Sequence, residues 1–205
     1  MKHGEDRREL LRAGAPPVGL KLSDEGLDKL LSYEDLLRSK ALPLGFIAAS
    51  DSERVLERHV LDSMRAAAAI TPADRSGIDL GSGAGLPGVV LGLISPAVDV
   101  LLVESQRRRV AFLELVLERV GAPNLRVFAG RAEELPRGTS ADLCFARAFA
   151  PMERSWAVAE PLLSERGRLV YFAGSGTQRV PAGARITGHV PPTLESSGPV
   201  VIMGR

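Results

Sequence analysis

The stretch from Ile78 to Leu91, IDLGSGAGLPGVVL, constrains this chain more than any other. A short apolar run meets an acid, Asp79. Gly81, Gly83 and Gly85 then alternate with small residues before a second apolar run begins. Glycine in such spacing permits positive φ and close approach of backbone to a ligand. The pattern predicts a strand, a tight turn and a helix N-terminus whose free N–H groups face a nucleotide-type ligand.

The segments downstream repeat this alternation. Strand-like runs are expected at 78–80, 97–103, 125–129, 141–146 and 168–172. Helix-like runs are expected at 86–94, 105–120 and 152–163, with a short turn at 133–136. Over 105–120, Val110, Leu113, Val116, Leu117 and Val120 recur at three and four, and Gly121 is placed to end the helix. Near-continuous apolar strands separated by helices imply a parallel sheet covered on both faces. The tail differs: 184–190 and 200–203 read as an antiparallel pair at the sheet edge, joined through PPTLESSGP.

Before the first strand the pattern is helical. The GAPPVG segment, residues 14–19, breaks regular structure after a charged opening stretch. Ser23 is a candidate N-cap for a helix carrying Leu27, Leu30, Leu31, Tyr33, Leu36 and Leu37. Asp51 or Ser52 is a candidate cap for a second, with Val55, Leu56, His59, Val60 and Met64 on its buried side. His59 and Asp62, three apart, share one face; they are either packing residues or the rim of a ligand site. The expected organisation is an N-terminal helical extension over 1–75 and a nucleotide-binding core over 76–205.

Two ligands compete for the turn. Gly83, Gly85 and Gly88 satisfy the dinucleotide spacing GxGxxG. Asp79, Gly81, Gly83 and Gly85 satisfy an acid-led DxGxGxG, which resembles the first motif of class I methyltransferases and so implies S-adenosylmethionine (SAM). A carboxylate at the strand end favours a sulfonium and an amino group and repels a diphosphate. Glu104, ending the second strand, is placed to accept from ribose hydroxyls in either case. Gly130 to Glu134 follows the third strand and is expected over the adenine. Arg147 follows the fourth, at the carboxyl end of the sheet, where open α/β sheets bind ligands.

Bulk properties exclude little more. The formal net charge is +1, so overall charge does not announce nucleic acid, although the basic residues are 22 Arg against 4 Lys. The single cysteine, Cys144, lies in an apolar run and excludes an internal disulfide or cysteine cluster, and no metal is expected. No apolar signal core and no run of roughly 20 apolar residues is present, so a cytoplasmic protein is expected.

Five segments together carry a family resemblance: RHVLDS (58–63), DLGSGAGLPG (79–88), RRRVAFL (107–113), GRAEEL (130–135) and ARAFAP (146–151). In these, and in their order, the chain resembles the bacterial guanine-N7 methyltransferases of small-subunit ribosomal RNA, the glucose-inhibited division protein B family. The resemblance implies a class I SAM-dependent methyltransferase fold, Rossmann-like, with a seven-stranded mostly parallel sheet and an antiparallel C-terminal strand. It implies SAM as methyl donor and guanine N7 in the 530 loop of 16S RNA as acceptor. By analogy Gly81, Leu86, Ala132, Glu133 and Arg147 contact the cofactor, joining Asp79, Gly83, Gly85 and Glu104. Arg131 and Arg147 are expected beside the methyl-transfer site. The expected partners are 16S ribosomal RNA or the small ribosomal subunit and no membrane, with the protein acting as a monomer.

Two features depart from the family. The lysine-glycine pair after the fifth strand is absent from YFAGSGTQ, and RSKALPLGFIAAS lacks the asparagine-rich pattern common there. Three other readings stay open on sequence: a NAD-dependent oxidoreductase, a SAM enzyme with another acceptor, and a non-catalytic RNA-binding module. The Arg107-Arg108-Arg109 run at a helix start is either a solvated face or a contact for RNA phosphate.

Overall fold

The structure, a computed structural model, describes residues 2–15, 22–174, 179–192 and 197–205. Most of the GAPPVG breaker, residues 175–178 of the YFAGSGTQ segment and residues 193–196 of the PPTLESSGP connection lie outside the described residues.

The chain opens with α1 (Lys2–Gly14) and α2 (Asp24–Leu36). Ser23 caps α2 as expected, its Oγ accepting the Gly26 N–H at 3.1 Å. Leu27, Leu30 and Leu31 form the buried stripe of α2. Glu34 is fully buried, and both Arg7 of α1 and Arg38 donate to it, which ties the first two helices together.

The second helical run changes pitch along its length. It begins as a 3-10 segment (Ala49–Arg54), widens to a π-wound turn (Leu56–Leu61), passes through α3 (Asp62–Met64) and closes as 3-10 (Arg65–Ala69). Neither Asp51 nor Ser52 caps it. The extended residue before it is Ala48, and Asp51 instead turns inward to meet Arg58 and His59. The predicted buried side, Val55, Leu56, His59, Val60 and Met64, is buried throughout.

Seven strands follow: β1 (Ser76–Leu80), β2 (Asp99–Glu104), β3 (Leu125–Ala129), β4 (Ala141–Arg147), β5 (Leu163–Phe172), β6 (Arg185–Val190) and β7 (Val200–Gly204). Between them lie α4 (Gly88–Ile94), α5 (Arg107–Val120) and α6 (Met152–Ala159). The sheet order is β3-β2-β1-β4-β5-β7-β6. β1 to β5 are parallel, and β7 runs antiparallel to both β5 and β6. The tail strands are thus an antiparallel pair, but the later one is internal and the earlier one forms the edge.

α6 ends four residues short of the expected 163. Pro161 lacks a backbone N–H, and the chain passes through a 3-10 turn (Glu160–Leu162) into a longer β5. The β3–β4 crossover carries only a 3-10 turn (Ala132–Glu134).

One face of the sheet is covered by the N-terminal helices together with α4 and α5. Leu27, Leu30, Val55, Val60, Val89, Leu102 and Leu113 belong to one continuous core. On the other face α6 packs through Met152 and Trp156 against Cys144, Ala146 and Met203. Burial pushes the Cys144 thiol up to about 12, as suits an inert core group.

Candidate active site

The glycine turn joins β1 to α4. Gly81 has φ 64°, and a Cβ there would lie 2.7 Å from Phe149 Cδ2, so both conformation and packing require glycine. Gly88 is constrained by proximity alone: its Cβ would meet Leu102 Cδ2 at 2.5 Å and Asp79 Oδ2 at 2.6 Å. That closeness has a purpose. The Gly88 N–H donates to Asp79 Oδ2 at 3.1 Å. The next amide, of Val89, donates to the Gly85 carbonyl at 2.8 Å.

This corrects the expectation that open amides at the helix start face a ligand. The first amide of α4 is taken by a buried carboxylate. Asp79 is 1% exposed, and Oδ1 has no hydrogen-bond partner among the described residues. Burial raises its carboxyl to about 7, against the pull of the Gly88 amide and of Arg147. Asp79 therefore stands behind the turn rather than in the cavity before it.

That cavity, of about 340 Å³, has two kinds of wall. The sheet side supplies Gly81, Ser82, Gly83, Ala84 and Leu86 from the turn, Arg109 from α5, and Arg147 and Ala148 from the end of β4. The connection between the two N-terminal helical runs supplies Phe46, Ile47 and Ala48, and the second run supplies Asp51 and His59. Glu104 backs the turn: Oε2 accepts the Gly83 N–H at 2.9 Å and Oε1 the Gln106 N–H at 2.8 Å. Arg109 Nη1 lies 3.9 Å from Glu104, and its guanidinium sits 5.8 Å from the Phe46 ring centroid. Phe46 in turn meets Phe112 edge-on at 5.8 Å. Of the arginine run, then, Arg109 turns to the cavity while Arg107 and Arg108 are exposed.

Arg147 is the most heavily bonded side chain of the site. It donates to the carbonyls of Arg58 (2.7 Å) and His59 (3.2 Å) and to Ser63 Oγ (2.9 Å). It pairs with Asp62 Oδ2 at 3.4 Å and lies 5.6 Å from the Phe172 ring centroid. All of these except Phe172 come from the N-terminal helices. His59 and Asp62 thus share a face, as their spacing predicted, and the face they share is the one that receives Arg147.

His59 Nδ1 is 3.5 Å from Arg147 Nη2. Arginine only donates, so Nδ1 is the acceptor and the ring proton resides on Nε2. Nε2 stands 3.1 Å from Asp51 Oδ2 but off the hydrogen-bond line. Burial first, then repulsion by Arg147, lowers the imidazole to about 4, so His59 is neutral at physiological pH.

Ala148, next to Arg147, has φ 51°, a left-handed conformation that costs a non-glycine residue about 1–2 kcal/mol. It directs Phe149 over Gly81. A second cavity, of about 460 Å³, begins at the same residues: Asp51, His59, Arg147 and Ala148 line both. Its remaining wall includes Arg58, Asp62, Arg65, Phe172 and Ser197.

The predicted site residues therefore divide. Gly81, Gly83, Leu86 and Arg147 line the first cavity. Asp79, Gly85 and Glu104 support it from behind; Gly85 is packed by Val89, Tyr33 and Leu113. Ala132 and Glu133 line a separate cavity against α6, and Arg131 is exposed at the end of β3, lining none of these three. The loop they belong to still begins beside Glu104, whose carbonyl accepts the Gly130 N–H at 3.0 Å.

Sequence reasoning missed Phe46, Asp51, Arg109 and Ala148 as lining residues, and it missed what Tyr33 does. The buried Tyr33 hydroxyl donates to the Ala84 carbonyl at 2.8 Å, so α2 holds the glycine turn. Tyr33→Phe leaves that buried carbonyl without its donor, and the expected loss is about 1–2 kcal/mol in denaturant unfolding.

The family model described as "GidB: rRNA small subunit methyltransferase G" matches residues 26–180. Among relatives, the ribosomal RNA small subunit methyltransferase G of Thermobifida fusca is 38% identical over 154 residues, covering 75% of this chain and 65% of that protein. The protein of the same name from Clavibacter sepedonicus is 33% identical over 164 residues, covering 80% and 77%. Among solved structures, MtNAS in complex with MTA and tNA superposes with a TM-score of 0.59 at 18% identity, covering 86% of this chain and 69% of that one. A TehB-like SAM-dependent methyltransferase from Corynebacterium glutamicum gives 0.55 at 19%, covering 78% and 97%. At these identities the two structures speak for the fold, which they share.

Proposed function

Since this chain belongs to the rRNA small subunit methyltransferase G family, we propose that it is a SAM-dependent methyltransferase that modifies N7 of a guanine in the 530 loop of 16S ribosomal RNA. It acts in the cytoplasm, as a monomer, on the RNA or the small subunit. Among the described residues no helix is long and apolar enough to cross a membrane. The segment 1–75 serves as an extension that completes the cofactor cavity of the core, 76–205.

The observation that carries this reading is the state of the turn's amides. Dinucleotide sites offer a helix N-terminus to a pyrophosphate. Here the Gly88 N–H is bound by Asp79 and the Gly83 N–H by Glu104, so carboxylates stand where a diphosphate would need donors. A ligand without a diphosphate does not need those donors, and the Glu104 carboxylate keeps lone pairs for ribose hydroxyls. The antiparallel β7 between β5 and β6 also departs from the dinucleotide-binding strand order.

SAM would be held by the backbone of Gly81 and Gly83, by Leu86, and by Glu104 through the ribose. When bound, it supplies an electrophilic methyl group. Guanine N7 carries an in-plane lone pair and needs no deprotonation. The protein's task is therefore placement, and no side chain must act as base. His59, lowered to about 4 and so a poor base, and Arg147, engaged through both Nη atoms by the N-terminal helices, fit that requirement. Asp51, buried at the junction of the two cavities, offsets the positive charge that the base acquires.

Calorimetric titration tests the cofactor: SAM is expected to bind and NADH not to. Glu104→Ala is expected to weaken SAM at least about tenfold, equivalent to roughly 1.4 kcal/mol. Mapping N7-methylguanosine in 16S RNA with and without the protein tests the acceptor.

A further inference from the structure

We propose that the second cavity receives the acceptor guanine as an unpaired nucleotide turned out of the RNA, and that Arg58 grips the phosphate of that nucleotide. The inference rests on the functional reading above and specifies how the same site takes its substrate.

Four residues, Asp51, His59, Arg147 and Ala148, form a wall common to both cavities. A donor seated against the glycine turn and an acceptor seated in the second cavity meet only there. The second cavity carries three guanidinium groups, of Arg58, Arg65 and Arg147, against the carboxylates of Asp51 and Asp62, with His59 neutral. Its lining is net positive, which suits a singly charged phosphodiester.

The three arginines are not equivalent. Arg65 is 1% exposed and donates to Asp62 and to the carbonyls of Val190 and Gly198. Arg147 is occupied by the N-terminal helices. The side chain of Arg58 is 36% exposed, and its one ion pair among the described residues is with Asp51 Oδ1 at 3.2 Å. A guanidinium has five N–H donors in a fork that matches phosphate, so Arg58 retains donors for a ligand. It lines the second cavity and not the first.

Base chemistry supplies the remaining step. In A-form RNA the major groove, where N7 lies, is deep and narrow and closed to side chains. Two of the four residues at the transfer point, Asp51 and His59, are buried, so the point is recessed from the surface and out of reach of a stacked, paired base. Enzymes that act on bases in this position take single strands or extrude the nucleotide.

The experiment uses a 530-loop RNA with 2-aminopurine beside the acceptor guanine, mixed with the full chain in the presence of SAM. Extrusion unstacks the neighbour, and fluorescence is expected to rise several-fold. Arg58→Ala is expected to raise KM for RNA at least tenfold and to abolish the fluorescence rise, while SAM affinity by calorimetry stays within twofold of wild type; the loss of the Asp51 pair lowers the melting temperature, and the far-UV circular dichroism spectrum stays that of the folded protein. Arg58→Lys, keeping the charge without the fork, is expected to fall between.

RNA that is methylated without any fluorescence rise overturns the extrusion. An Arg58→Ala protein with wild-type KM, or one that loses SAM affinity equally, overturns the phosphate grip; both results leave the functional reading standing. Wild-type protein that binds SAM but never methylates the RNA overturns both.

Discussion

Arg147→Ala is expected to lower the proposed methylation by at least about 100-fold and the unfolding free energy by about 3 kcal/mol. The first figure follows from misplacement: a shift on the order of 1 Å in a positioning contact costs about that much. The second follows from stranding buried partners, for which breaking a buried charge pair typically costs about 3–5 kcal/mol. Without Arg147, Asp62 keeps Arg65 and Ser197, which places the loss at the lower end. The carbonyls of Arg58 and His59 lose a shared donor. Arg147→Lys preserves the charge but not the fork and should recover more stability than activity. Single-turnover methylation and denaturant unfolding measure the two effects; a variant with wild-type values in both would remove Arg147 from the site and from the framework.

The second large effect is a dependence of stability on pH set by two buried groups that act in opposite directions. Asp79 is raised from 3.8 to about 7, so the folded state holds its proton more tightly than the unfolded chain. Its contribution is complete below pH 3.8 and is lost as pH rises to 7. His59 is lowered from 6.5 to about 4, so the unfolded chain holds that proton more tightly. Its contribution is present above pH 6.5 and is lost as pH falls to 4. Between pH 4 and 6.5 the two slopes nearly cancel in the wild type; above 6.5 the Asp79 loss stands alone.

Asp79→Asn removes one arm. Its stability relative to wild type is expected to rise with pH across this window, by an amount on the order of a few kcal/mol. The amide can still accept the Gly88 N–H, so the turn keeps its cap. Unfolding midpoints at half-unit pH steps measure the difference. A constant offset between the two proteins from pH 4 to 7.5 would contradict the assignment of a shifted Asp79.

What could be read from residues alone follows from how local each signal is. The strand–turn–helix unit at 78–91 was legible because glycine spacing and apolar runs act over a few residues. The buried stripe from Val55 to Met64 was legible for the same reason, although the helix that bears it changes from 3-10 to π to α. A stripe survives such changes; caps do not, and the cap assigned to Asp51 or Ser52 was displaced because Asp51 is drawn inward by Arg58 and His59. Asp79 was placed correctly at the strand end, but charge alone suggested a ligand when its partner is the Gly88 amide nine residues on.

The half of the cavity built by Phe46, Ala48 and Asp51 left no trace in the sequence. Those residues meet the glycine turn and Arg147 across separations of tens of positions. Likewise Ala132 and Glu133 follow β3 as expected, but the shortness of that crossover sets them against α6.

Tyr33 and the backbone around His59 have a consequence for how such a protein can be taken apart. One holds the glycine turn through Ala84, the other holds the end of β4 through Arg147. The junction at residue 75 is thus a change of secondary structure and not a seam. A sheet half cut there and grafted to a foreign leader would arrive without the clasp that Tyr33 and the His59 backbone supply.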